Sequence, residues 1–178
     1  AGGLYNAMAP LREFSRYLFR LGYMNPYLIP PKQMPKLHPE APYFFSEDEL
    51  SLFFRKCDSY YAENPGPRMR GIIMPALFRV LYCCGLRPKE ARMLPYGNVN
   101  LAGKYIDILQ SKGPKSRRIF ISDELVSYLM LYDSQVSAML PEREYFFPAD
   151  IDKPYSVQAL CYNFGLIWKK ALDRKSVV

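Results

Sequence analysis

One group of side chains able to do chemistry lies between two predicted helices, the first ending at Gly85 and the second beginning at Pro88. The group consists of three cations, Arg87, Lys89 and Arg92. A helix start offers unpaired backbone N–H groups and the positive end of the helix dipole, and an arginine can hold a phosphate through two parallel hydrogen bonds. The pattern therefore fits an anion-binding site. It also fits an Arg87 that pairs with Glu90 and covers the helix terminus, and the residues alone favour this second interpretation.

A second basic group lies in a segment with strand-like spacing. Apolar side chains recur at every second position from Tyr105 to Ile121, on both sides of a Gly-Pro turn at 111–116, which predicts a β-hairpin. From 104 to 118 the basic residues are Lys104, Lys112, Lys115, Arg117 and Arg118, and the single acid is Asp107. Residues 123–150, in contrast, hold six acids and one arginine. The basic hairpin suits a polyanion, and it suits equally a solvated strand edge whose charges prevent edge-to-edge pairing.

The composition limits which kinds of site are possible. The chain of 178 residues has one histidine, His38, so neither a two-histidine zinc site nor a multi-histidine catalytic centre can be built. The four cysteines lack CxxC spacing and are interpreted as reduced thiols of a cytoplasmic protein. The tight acidic cluster at 47–49 fits the first turn of a helix, which disfavours a metal-dependent nuclease. We expect no metal and no other cofactor.

The overall charge and hydropathy point in the same direction. The formal net charge is +7, from 24 basic and 17 acidic residues, which favours a polyanionic partner. The longest uncharged apolar stretch, 71–78, is far shorter than the roughly 20 residues of a membrane span. The N-terminus lacks a signal-peptide pattern. We therefore expect a cytoplasmic protein without membrane contact.

The elements that position these groups follow from apolar spacing and proline content. Leu11, Phe14 and Leu18 recur at helical spacing up to Gly22, which predicts a first helix. One helix cannot bury its own apolar face, and the chain does not begin with Met. For these two reasons we expect the chain to be a piece of a longer protein. Prolines then dominate residues 25–42, which favours an extended spacer.

A second domain is predicted to begin after the spacer. Ser46 and Glu49 have the spacing of a capping box. Pro75 suits the first turn of a buried helix that ends at Gly85, and two later helices are expected to begin near Ser122 and Ser156. The fold class is therefore mainly α with a small antiparallel β-hairpin or sheet.

Several of these segments resemble the tyrosine recombinase (phage integrase) family. Residues 81–91, LYCCGLRPKEA, resemble the family's LLYxTGLRxSEL motif, and Ser111-Lys112-Gly113 lies where the family has its hairpin lysine. Residues 145–148, YFFP, and the helix at 162–171 also occur in the family's order, so the resemblance covers about 43–172. It implies the C-terminal helix of a core-binding domain at 1–24, a proline-rich linker at 25–42, and the N-terminal portion of a tyrosine-recombinase catalytic domain at 43–178.

The resemblance also implies a chemistry. Members of the family cut and rejoin double-stranded DNA through a 3′-phosphotyrosine, with no metal and no ATP, so arginines must stabilise the charge on the scissile phosphate. Arg87 is then a catalytic phosphate clamp, Lys112 the catalytic acid that protonates the leaving 5′-oxygen, and Glu90 a structural support for Arg87. The expected DNA-binding residues are Lys89, Arg92, Lys115, Arg117 and Arg118.

The family pattern is incomplete in this sequence. The H-x-x-R motif, the second His or Trp and the tyrosine nucleophile are missing, because His38 precedes Arg87 and none of the 15 tyrosines follows such a motif. The resemblance therefore predicts a fragment of a site-specific recombinase or integrase that binds DNA without cleaving it, and whose full-length parent acts as a tetramer on paired sites. The alternatives are a non-enzymatic DNA-binding module and a helical interaction domain.

Overall fold

The computed structural model describes residues 2–23, 29–35, 41–63, 69–109, 116–151 and 153–172. The chain divides into two compact units, Ala1–Phe44 and Phe45–Val178. The predicted domain functions of 1–24, 25–42 and 43–178 stay predictions.

The first unit contains the predicted first helix. Helix α1 spans Gly2–Arg20, and the chain turns away at Gly22, whose φ of 80° is a conformation that glycine adopts without a steric penalty. Leu11 and Phe14 are each nearly 60% exposed. The amphipathic stripe read from the sequence is therefore a solvent-facing apolar stripe. A single 3₁₀ turn, Pro31–Gln33, follows within the part of the proline-dense stretch that the structure describes.

The second unit is mainly helical, as predicted. Its described residues form two small antiparallel sheets, whereas the sequence predicted one. Its helices are α2 Glu47–Glu63, α3 Arg70–Cys84, α4 Pro88–Arg92, α5 Asp123–Met139 and α6 Val157–Leu172. Its strands are β1 Val99–Asn100, β2 Tyr105–Ile108, β3 Arg117–Phe120, β4 Pro148–Asp150 and β5 Lys153–Pro154.

Short polar motifs fix where several of these helices begin. Ser46 and Glu49 form the predicted capping box: the Ser46 N–H donates to Glu49 Oε2 at 2.8 Å, and the Glu49 N–H donates to Ser46 Oγ at 3.2 Å. Ser122 accepts from the Leu125 N–H at 3.3 Å, and Ser156 accepts from the Ala159 N–H at 3.0 Å. The predicted starts of α2, α5 and α6 are thus confirmed.

Helix α3 begins earlier than predicted. It starts at Arg70, so Pro75 lies in its second turn instead of its first. A proline inside a helix removes one backbone hydrogen bond. The turn before it is nevertheless stable because Ile73 and Met74 are fully buried in the core. The predicted end is correct, since Gly85 follows α3 with a φ of 58°.

The predicted hairpin is confirmed as part of a three-stranded sheet with the order β1-β2-β3. In its register, Asp107 lies opposite Arg118 and Ile108 lies opposite Arg117. Ile106 and Ile108 are buried, as the alternation predicted. The tip of the hairpin at 110–115 lies outside the described residues. Strands β1, β4 and β5 were not predicted, because two or three residues are too few to show a period.

The segment that follows α4 is held by the chain at 143–147. The Phe146 N–H donates to the Leu94 carbonyl at 2.8 Å, and the Tyr96 N–H donates to the Glu144 carbonyl at 2.9 Å. Arg143, buried beneath Tyr96, pairs with Asp133 of α5. These contacts fix the backbone between α4 and the first sheet.

A groove with aromatic walls lies between α2, α3 and α6. It encloses about 390 Å³ and is lined almost entirely by apolar atoms. Phe164 and Trp168 stack in it with an interplanar angle of 7°, and Phe53 lies 5.3 Å from Phe164, centroid to centroid. Pro88 of α4 also lines it, whereas the neighbouring Arg87 and Lys89 line a different cleft.

Candidate functional site

The carboxylate of Glu90 is the centre of a charged site in the second unit. Its side chain is only 8% exposed, although it lies in α4 beside an open cleft. It accepts hydrogen bonds from two arginines, Arg87, three positions before it, and Arg117, 27 positions after it. We call these three residues the open cluster.

Arg87 reaches Glu90 from the turn between α3 and α4. The left-handed conformation of Gly85 redirects the chain, and Arg87 then takes an extended conformation immediately before Pro88. Its backbone N–H donates to Glu90 Oε2 at 2.9 Å, and its Nη1 donates to Glu90 Oε1 at 2.8 Å. The Arg87–Glu90 pair that the sequence offered as a structural interpretation is therefore present. The Arg87 side chain is still 59% exposed.

Arg117 reaches the same carboxylate from strand β3. Its Nη1 lies 3.1 Å from Glu90 Oε1 and its Nη2 lies 2.7 Å from Glu90 Oε2, so the guanidinium binds both oxygens at once. These hydrogen bonds raise the pKa of Arg117, which keeps it charged. The sheet is thereby joined to the start of α4 by an ion pair.

The neighbouring Arg118 makes a different contact. Adjacent residues of a strand point to opposite faces, and Arg118 binds Asp107 with its Nε and Nη2, each at 2.8 Å. Its guanidinium also lies 3.7 Å from the centroid of the Tyr105 ring. The hydrogen bonds from Arg118 hold the pKa of Asp107 below its usual value. Each carboxylate near the cleft therefore has an arginine partner.

The cleft beside the open cluster has a volume of about 730 Å³. Its charged lining residues are Arg87, Lys89, Glu90 and Asp107, and its other lining residues are Met93, Leu94, Pro95, Asn98, Ile108 and Leu109. Because the two carboxylates are paired with arginines, the described charged residues around the opening carry an excess of positive charge.

The structure brings only some of the predicted site residues together. Arg87 and Lys89 line the cleft, and Arg117 joins them through Glu90. Arg92 points elsewhere, since its Nη1 donates to the Tyr155 carbonyl at 3.1 Å. Lys112 and Lys115 lie outside the described residues. The roles assigned to all of these residues from the sequence stay predictions.

Sequence reasoning missed Asp107 and Asn98 as cleft residues and the pairing of Glu90 with Arg117. The partners Asp107 and Arg118 could have been found, because an acid and a base face each other in the register that the hairpin alternation implies. Glu90 and Arg117 are 27 positions apart and belong to different kinds of element. No periodicity connects them.

None of the described residues that line this cleft is a tyrosine. Tyr132 is buried and donates to the Phe146 carbonyl at 2.6 Å, and burial raises its pKa well above the usual value. Tyr61 is also buried and donates to Asn163 Oδ1 at 2.6 Å. Burial raises the pKa of Tyr155 to about 12. All three tyrosines lie in the core, and burial keeps their hydroxyls protonated.

Metal-binding clusters and membrane-spanning helices are both absent from the described ranges. No three His, Cys, Asp or Glu side chains there are grouped so that they could hold a metal ion. No helix in the described part of the chain combines the length and apolar character needed to cross a bilayer.

The arrangement of the helices and small sheets is that of tyrosine recombinase catalytic domains. The crystal structure of XerA recombinase shares the fold with a TM-score of 0.60 and 22% identity, over 78% of this chain and 47% of that one. The structure of XerH site-specific recombinase bound to its difH substrate, a pre-cleavage complex, gives a TM-score of 0.58 and 18% identity, over 83% of this chain and 41% of that one.

The sequence places the chain within a family. Residues 44–175 match the phage integrase family, and the chain belongs to it, which confirms the resemblance drawn from the GLRPKE segment. A tyrosine recombinase XerD of Pseudomonas putida is 33% identical over 135 residues, 75% of this chain and 42% of that protein. A XerD of Brucella suis biovar 1 is 26% identical over 148 residues, 80% of this chain and 47% of that protein. The chain thus spans less than half the length of these relatives.

Proposed function

We propose that this chain provides part of the DNA-cleaving site of a site-specific tyrosine recombinase, with Arg87 as the residue that holds the scissile phosphate. The observation that carries the proposal is the placement of Arg87. Its guanidinium is more than half exposed at the edge of a wide cleft, and Glu90 anchors it through both backbone and side chain. An anchored cation at an open cleft is suited to a bulky anion.

The anion proposed for this site is double-stranded DNA. Lys89 lines the same cleft, and Arg117 and Arg118 of β3 neutralise the two carboxylates that line it, so a phosphate backbone meets a surface with an excess of positive charge. The XerH recombinase, which shares the fold, is bound to its difH substrate in its solved structure. In the full-length recombinase we propose a tetramer on paired DNA sites.

The proposed reaction needs neither metal nor ATP. A tyrosine oxygen attacks the phosphorus, the bond from phosphorus to the 5′-oxygen breaks, and a 3′-phosphotyrosine forms. Arg87 stabilises the negative charge that grows on the non-bridging oxygens, and positioned donors of this kind contribute roughly 10²–10³ to the rate. The proton for the leaving 5′-oxygen comes from Lys112, by family resemblance. The nucleophile is not assigned to any tyrosine of this chain.

The test is covalent capture on a suicide DNA substrate whose nick prevents religation. The full-length gene product is expected to form a protein–DNA adduct, and Arg87→Ala to form it roughly 10²–10³ times more slowly. The matched control is Arg55→Ala, which removes the same charge from the exposed surface of α2 and leaves the rate unchanged. Adduct formation at the wild-type rate by the Arg87 variant overturns the assignment.

The 178-residue chain alone is expected to bind duplex DNA without forming an adduct. Its affinity should fall steeply with salt, because phosphate contacts release counterions. An adduct formed by this chain refutes its proposed inactivity. Binding that is absent at low salt, or that does not depend on salt, favours a protein-interaction domain instead.

A further inference from the structure

We propose that Arg117 is a positioning residue of the cleavage site, which holds the Glu90 carboxylate and, through it, the orientation of Arg87. This assigns Arg117 a different task from the phosphate contact predicted from the sequence. The inference rests on the proposed function, since it concerns how the phosphate-holding arginine is kept in place.

The geometry of the Arg117–Glu90 pair is the first reason. Both terminal nitrogens of Arg117 bind the carboxylate, at 3.1 and 2.7 Å, in the parallel arrangement that gives the strongest and most directional ion pairs. A guanidinium held in this way is oriented toward α4. Two of its donors are directed at protein oxygen atoms, and Arg117 is not among the described residues that line the cleft, whereas Arg87 and Lys89 are.

The burial of Glu90 is the second reason. A carboxylate that is 8% exposed loses most of its hydration, and charged hydrogen bonds must replace it. Arg87 and Arg117 both supply such bonds. Without Arg117, the nearly buried charge draws more strongly on Arg87, the cation that the phosphate needs. Arg117 therefore keeps Arg87 from being fully neutralised by its own anchor.

The position of Arg117 in the chain is the third reason. It begins β3, five residues after Lys112 in the same hairpin, and it is paired in register with Ile108, which lines the cleft. The ion pair therefore connects the strand that leads out of the hairpin tip to the turn that carries Arg87. The two segments that supply the proposed catalytic cations are joined at one carboxylate.

The first experiment needs no DNA. Unfolding of the 178-residue chain in urea is measured for the wild type, Arg117→Ala, Glu90→Gln and the double variant. The shift in midpoint caused by Arg117→Ala is expected to be at least halved when Glu90 is already replaced, because the two side chains act as a pair. Equal shifts in both backgrounds overturn the inference whether or not the protein cuts DNA.

The second experiment separates positioning from DNA contact. In the full-length gene product, Arg117→Ala is expected to cleave a saturating suicide substrate about 100-fold more slowly, the cost of a misplaced catalytic group. Its DNA affinity should fall only about threefold, the effect of one screened surface charge. Arg117→Lys, which keeps one hydrogen bond to Glu90, should recover part of the rate, and Arg55→Ala serves again as the control for charge.

The cleavage rate of the double variant gives the decisive result. If Arg117 acts through Glu90, Arg117→Ala and Glu90→Gln together slow cleavage no more than the worse single change. If Arg117 contacts the phosphate backbone directly, the two losses multiply, and the inference is wrong. Failure of the wild-type protein to cleave at all overturns the proposed function itself, a result that differs from either of these.

Discussion

The second unit contains two clusters built from the same chemical parts and arranged for opposite purposes. In the closed cluster, Arg143 pairs with Asp133, and its side chain is 1% exposed. The rings of Tyr96 and Phe146 lie 4.6 and 5.9 Å from its guanidinium carbon. In the open cluster, Glu90 is the buried member, and its arginines are 59% and 38% exposed.

The difference lies in which partner is buried. Where the arginine is buried, its terminal nitrogens bind Asp133 and Ser137 of α5 and aromatic rings lie against it, so it fastens the 143–147 segment to α5. Where the carboxylate is buried, the cations remain at the surface, and Arg87 lines the cleft. The cluster of two arginines and one carboxylate has a net positive charge. The same ion pair is therefore structural in one place and suited to binding in the other.

The largest effect is expected from opening the closed cluster. Arg143→Met removes the cation and leaves Asp133, three-quarters buried, without its ionic partner. Breaking a buried pair in this way should lower the free energy of unfolding by about 3 kcal/mol, measured by urea unfolding of the 178-residue chain.

A matched exposed pair provides the control for this prediction. Lys104 and Asp123 are 55% and 80% exposed, so Lys104→Met should change the free energy of unfolding by less than about 0.5 kcal/mol. Comparable losses from the two variants would show that burial does not distinguish these ion pairs, and the contrast between the clusters would fail.

A smaller effect, on DNA affinity, is expected from changing the carboxylates. Glu90→Gln removes the negative charge between two exposed arginines, so the 178-residue chain should bind duplex DNA about threefold more tightly at low salt. Asp133→Asn removes the same charge from the closed cluster and should leave the affinity unchanged. Fluorescence anisotropy at several salt concentrations measures both. The contrast between the two clusters is contradicted if Asp133→Asn binds DNA more tightly than the wild type. It is contradicted equally if Glu90→Gln does not.

What the sequence predicts well in this molecule is local. Ser46 with Glu49, Gly85, and Ser156 mark helix ends through contacts within four residues, and each of these ends is confirmed. The exception, Pro75, is instructive. The preference of proline for the first turn of a helix is also a local rule. In α3 it is overridden by the burial of the side chains around Pro75.

In the candidate site, too, only the local contacts could be predicted from the sequence. The spacing of Arg87 and Glu90 within one helical turn indicates their pairing, and the structure contains it. The partner that completes the cluster, Arg117, comes from a strand 27 positions away, and only the tertiary fold brings it to Glu90. A basic residue in a hairpin has the same appearance in sequence whether it faces DNA or a protein carboxylate.

The smallest effect is expected at Asp107 and Arg118, a pair on the other face of β3 whose side chains are 29% and 48% exposed. Neither is as buried as Glu90 or Arg143, so this pair tests where the comparison ends. Arg118 holds the pKa of Asp107 below 3.8. The pair therefore stabilises the fold at pH values above the unfolded-state pKa of Asp107. This contribution is lost as the pH falls through the lower folded-state pKa.

Arg118→Gln should return the pKa of Asp107 toward 3.8, as measured by NMR titration of its carboxyl carbon. Added salt should shrink the difference between the variant and the wild type, because exposed charges are screened. An unchanged pKa in Arg118→Gln would mean that a partly exposed bidentate pair has no effect on its carboxylate, and would confine the electrostatic reasoning to the two clusters with a buried member.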